Sequence, residues 1–117
     1  MTDAPATGDM LAAVSNAIAS AMHEFYGRGP ESAKSYLFDD YLLVVMRGGL
    51  TRVEQTLLDS DRGGLIREVR MAFQEEMEGE FTGRVAALTG RKVKGYQSQI
   101  VLEPVTLIEF FILEPAT

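Results

Sequence analysis

Apolar residues recur at helical spacing from Leu11 through Val14, Ile18, Ala21 or Met22 to Phe25. This stripe predicts one amphipathic helix over residues 9–26, with Asp9 as its N-cap. Gly27 stands where a left-handed residue would end that helix, and Pro30 bars its continuation. The period then drops to two. Segments 33–38 and 41–46 predict a β-hairpin turning at Asp39-Asp40, with Phe38 facing Tyr41, Tyr36 facing Leu43 and Lys34 facing Val45. Ala33, Leu37, Leu42, Val44 and Met46 fall on the opposite face, so both faces are substantially apolar. The same register carries Pro30 opposite Gly49 and brings two glycine-bearing turns together at one end of the hairpin.

Thr51-Arg52-Val53-Glu54 reads as a capping box, opening a second helix that runs to about residue 59. After a break at 60–64, a third helix runs to about residue 89, with a stripe of Ile66, Val69, Phe73, Met77, Phe81, Val85 and Leu88, and Gly90 closing it. Gly79 and Gly83 inside it each cost up to ~1 kcal/mol relative to alanine, and close helix packing is one reason to keep them. The last third reads as a second hairpin, 92–102 and 105–113, turning at Glu103-Pro104. Thr106, Ile108, Phe110 and Ile112 point one way, Leu107, Phe111 and Leu113 the other. The first strand of this pair carries Lys94, Gln97, Ser98 and Gln99 and suits a sheet edge.

The order is therefore α-β-β-α-α-β-β, an α+β domain with a four-stranded, mainly antiparallel sheet and helices on one face. Four strands at ~4.8 Å span ~19 Å, which two helices ~10 Å across can cover on one side. The long helices fill that side and the short one sits at a rim. The other apolar face has no cover within the chain, which predicts a homodimer or a stable hetero-complex. A sheet curled onto itself is the alternative.

With 117 residues the chain fits one domain, residues 9–114, preceded by a flexible arm over 1–8. A 46% hydrophobic share and a mean hydropathy of +0.01 are globular values. No apolar run reaches the ~20 residues of a membrane-spanning helix, which argues against direct membrane insertion. The first ten residues lack the basic and apolar regions of a signal peptide, and no cysteine is present for disulfide or thiolate chemistry. A cytoplasmic home is the expectation. A net charge of −6 argues against nucleic acid and against general affinity for anionic lipid.

Candidate chemistry is sparse. His23 is the single histidine, off the apolar stripe and without a positioned partner, so it reads as a surface residue. No ligand cluster for a metal exists, and no cofactor motif: neither glycine cluster has P-loop or dinucleotide spacing. Asp39-Asp40 is explained by turn chemistry. Glu75, Glu76, Glu78 and Glu80 read as a solvated face, or as a docking surface for a basic partner. The absence of a nucleophile–base pairing points away from an enzyme, with no catalytic residue to name. The converging turns hold the one candidate site, Gly27, Arg28 and Gly29 beside Gly48, Gly49 and Thr51. Arg28 offers a planar cationic fork, and the helix start offers N–H donors, for a small anion or nucleotide. The alternative is that these residues are structural punctuation.

Three motifs in order, Tyr26-Gly27-Arg28-Gly29-Pro30, then Gly48-Gly49-Leu50-Thr51 with Glu54 and Leu57-Leu58, then Leu88-Thr89-Gly90-Arg91-Lys92-Val93, resemble the MpsC family. The resemblance spans nearly the whole chain. It implies a bacterial accessory or regulatory protein of a sodium-translocating, membrane-potential-generating system, with related genes associated with inorganic-carbon uptake. It implies a protein that stays in the cytoplasm or lies peripherally at the inner membrane through a transport-complex partner. No catalytic residue is carried over from the family.

Overall fold

The computed structural model describes residues 4–116, with side chains from Thr7 onward. Helix α1 spans Ala4–Ala21 and passes without a break into a π-helical turn, Met22–Tyr26. It starts earlier than the Asp9 cap expected from sequence, because Pro5 fits the first turn of a helix, where its missing N–H has no partner to lose. Residues 1–3 of the expected arm lie outside the described residues. Gly27 ends the segment at φ 92°, a left-handed conformation that disfavours a side chain.

Strands β1 (Ser32–Phe38) and β2 (Tyr41–Arg47) form the expected hairpin, with Phe38 paired to Tyr41 and Lys34 to Val45. Asp39 takes the turn at φ 55°, which aspartate tolerates better than most residues. The capping box opens α2 (Arg52–Asp59), and α3 (Gly63–Thr89) follows. Strands β3 (Val93–Leu102) and β4 (Val105–Leu113) close the chain. The sheet order is β1-β2-β4-β3, all neighbours antiparallel, so β3 lies at an edge as its polar sequence implied.

The core lies between the helices and one sheet face. Val14, Ile18 and Ala21 from α1, and Met22 from the π-helical turn, meet Leu42, Val44 and Met46 from β2. Ile66, Phe81 and Val85 from α3 meet Ile100, Leu107, Phe111 and Leu113. The apolar stripe expected for α3 needs correction. Val69 and Leu88 are exposed, and the positions that point inward between Ile66 and Phe81 include Arg70 and Gln74. The helix keeps its 3.6 period, but its buried face is partly polar because partners for Arg70 exist beneath it. Gly79 and Gly83 face open space, so they do not serve close helix packing.

The other sheet face is uncovered by any described element. Tyr36, Phe38 and Tyr41 are exposed on it, and Leu43, Val45, Ile108, Phe110 and Ile112 are half-buried only by their neighbours in the sheet. Tyr41 and Phe110 stack across the β2–β4 seam at 5.9 Å.

Candidate functional site

The first two glycine motifs meet around a buried ion pair. Arg70, 2% exposed, reaches down from α3 and holds Glu54 bidentately, Nε to Oε2 and Nη2 to Oε1, each at 2.7 Å. Its Nη2 also donates to the Gly49 carbonyl at 3.1 Å. Tyr26 donates its hydroxyl to Glu54, and its ring lies 4.1 Å from the Arg70 guanidinium carbon. Phe73 packs edge-on against that ring. Glu54 thus does two jobs, since it also accepts from the Thr51 N–H while Thr51 Oγ1 accepts from the Glu54 N–H.

Burial alone pushes the Glu54 carboxyl up. The hydrogen bonds from Arg70, Tyr26 and Thr51 outweigh it and hold the group below the ordinary carboxylate range. Burial, and then the bond to Glu54, push the Tyr26 phenol up to about 12. The assembly is a fixed, satisfied cluster tying the end of α1, the β2–α2 turn and α3.

The turns proposed as an anion site do converge. A Cβ on Gly49, at φ 87°, would stand 3.0 Å from the Gly29 carbonyl and 3.1 Å from Pro30 Cα. A void of about 10 Å³ lies among Arg28, Pro30, Gly48, Gly49 and Arg70, room for a single water. Gly27 lies at the end of the π-helical turn, and Arg28 is exposed beside it. Two of the backbone donors are engaged: Gly48 N–H bonds Val105 O, and Thr51 N–H bonds Glu54. The Glu31 carboxyl occupies the space beside Gly48 where a Cβ would stand. His23 and Glu24 are exposed, Asp40 pairs with Arg91, and Glu75, Glu76, Glu78 and Glu80 are exposed. Arg91 also donates to the Glu114 carbonyl at 2.8 Å, which fastens the third sequence motif to the end of the sheet.

A second polar cluster went unnoticed in sequence. Glu109, in the middle of β4, is wholly buried on the helix-covered face and accepts hydrogen bonds from Tyr96 and Ser98 of β3, one on each carboxylate oxygen. Burial pushes its carboxyl up to about 7, against the two hydrogen bonds and the Arg70 charge that favour ionisation. Burial and the Glu109 charge push the Tyr96 phenol up in turn. Beside this cluster a cleft of about 240 Å³ opens between α3 and β3, lined by Met71, Gln74, Glu75 and Glu78 on one side and Tyr96, Gln97 and Ser98 on the other. Gln74 is 3% exposed, and neither its amide oxygen nor its nitrogen has a hydrogen-bond partner. The signal for Glu109 was present, as a carboxylate at the same strand parity as Leu107, Phe111 and Leu113. For Gln74 it was the fourfold spacing from Ile66 through Arg70.

Among the described residues no group of three or more His, Cys, Asp and Glu is placed to hold a metal ion, and no helix is long and apolar enough to cross a membrane. The fold and its clusters define a small α+β domain with one dressed and one bare sheet face. The family model described as "Na+-translocating membrane potential-generating system (MpsC)" matches residues 6–115, and the chain belongs to that family. No match is found among curated proteins or solved structures.

Proposed function

We propose that the chain is a non-enzymatic cytoplasmic accessory or regulatory subunit of a membrane ion-translocating system, working as a homodimer. The family match supports the association with such a system. The observation that carries the role is the bare sheet face, since a surface centred on Leu43, Val45, Ile108 and Phe110 calls for a protein partner. These four residues straddle the β2–β4 seam, where two antiparallel strands give the patch an approximate two-fold symmetry of its own. Such a patch suits an isologous contact with a second copy. The Glu54–Arg70–Tyr26 cluster is enclosed and braced, which fits a scaffold better than a turnover site. The anion-sensor reading has weaker support, because the Gly48 and Thr51 N–H groups already serve the fold and the void beside them has room for a single water.

Light scattering on the purified chain at micromolar concentration should report a dimer, and Leu43→Glu with Ile108→Glu should give a folded monomer. Pull-down from the native cell, read by mass spectrometry, should recover membrane subunits of an ion-transport system. A wild-type monomer would remove the homodimer reading. Recovery of soluble metabolic enzymes alone would remove the accessory role.

A further inference from the structure

The cleft between α3 and β3 has an unusual polarity. Ser98 and Tyr96 both donate their hydroxyl protons to Glu109, so what they present to the cleft is lone pairs, sharpened by the carboxylate behind them. Gln74 adds a buried amide whose oxygen has no donor and whose nitrogen has no acceptor. Glu75 and Glu78 stand at the mouth, and no basic side chain lines the space. A buried carboxylate, two hydroxyl oxygens and an unpaired amide oxygen are costly unless something positive meets them, and the Gln74 nitrogen needs an acceptor such as a water of that ion's shell.

We propose that this cleft binds a small monovalent cation, held by the oxygens of Gln74, Ser98 and Tyr96 with Glu109 as counter-charge. A divalent ion would ask for several carboxylates in direct reach, and the described residues offer no such group. The volume, against ~30 Å³ for a water molecule, admits an alkali ion with part of its water shell or an ammonium group. Binding competes with protonation. A proton on Glu109 removes the counter-charge and makes the carboxyl a donor, which releases one hydroxyl to turn its own proton toward the cleft. The charged and titratable groups around Glu109 are Tyr96 on β3 and Arg70, Glu75 and Glu78 on α3, while its β2 neighbour is Val44. Of these, Arg70 is paired directly with Glu54, and its charge also favours the ionised form of Glu109. The proposal stands on the cleft alone and is independent of the dimer and of any membrane partner.

The test is thermal unfolding of the full chain at pH 8 and constant ionic strength, exchanging choline chloride for ammonium, potassium or sodium chloride. At least one of the three should raise Tm by roughly 3–6 °C at tenfold its Kd, and which one does so separates an ammonium site from an alkali site. The rise should shrink at pH 5.5 and vanish in Gln74→Leu, a variant expected to fold because it replaces an unpartnered amide by an apolar group. Ser98→Ala should weaken the effect by an independent route. Equal Tm in choline and in all three salts would overturn the proposal, as would a cation effect that survives in both variants.

Discussion

At the residue scale, two buried carboxylates behave oppositely because their partners differ. Glu54 meets a guanidinium and is held ionised; Glu109 meets only two hydroxyls and is pushed up to about 7. The linkage signs follow. Glu54 contributes stability above the ordinary glutamate pKa near 4.5, and loses it as pH falls through its lower folded value. Glu109 takes up a proton on folding between pH 4.5 and 7, so its contribution falls as pH rises across that window and stays low above it. Replacing Glu109 by Gln should therefore raise stability relative to wild type by of order 2–3 kcal/mol at pH 8 and by little at pH 4.5. Urea unfolding of both proteins across pH 4.5–8 measures the difference, and parallel curves would show that Glu109 does not titrate there. None of this was plain in the sequence. A charged residue within an apolar period reads as an interruption until the partner that justifies it is seen. Beyond its local Thr51 cap, Glu54 is held by Arg70 and Tyr26, 16 and 28 residues away, and Glu109 by Ser98 and Tyr96, 11 and 13 away.

Elements were more legible, because period and punctuation are local. The β1–β2 register, the capping box of α2 and the left-handed Gly27 and Gly90 all follow from residues within a few positions of one another. The phase of α3 was not, since Val69 and Leu88 are as apolar as the buried positions and only tertiary contact assigns the face. The glycines separate along the same line. Gly79 and Gly83 have helical neighbours and empty space around them, so alanine at either should stabilise by about 0.5–1 kcal/mol through lost unfolded-state freedom. Gly49→Val should instead destabilise severely, since it combines φ 87° with backbone at 3.0 Å that cannot move aside. Chemical denaturation of the three variants checks both signs at once.

For the whole molecule, strand count and helix width were enough to foresee a half-covered sheet, since that is geometry rather than chemistry. The strand order was not accessible, because nothing local says which hairpin strands will meet. That order has a kinetic side. Each hairpin closes over a short turn, whereas the β2–β4 seam joins Met46 to Leu107 and must enclose α2, α3 and β3. Loop closure on that scale is the entropic step that slows folding. The two hairpins and the helices should therefore form early, with the seam setting the rate. Trimming the seam, as in Val45→Ala or Ile108→Val, should then slow refolding in stopped-flow measurements, while Tyr36→Ala on the outer strand should mainly speed unfolding. The reverse pattern would place the barrier within a hairpin. Until the seam closes, two half-sheets each expose an unpaired central edge and an apolar face, so the moment of greatest risk of aggregation in the life of this chain is the interval just before β2 finds β4.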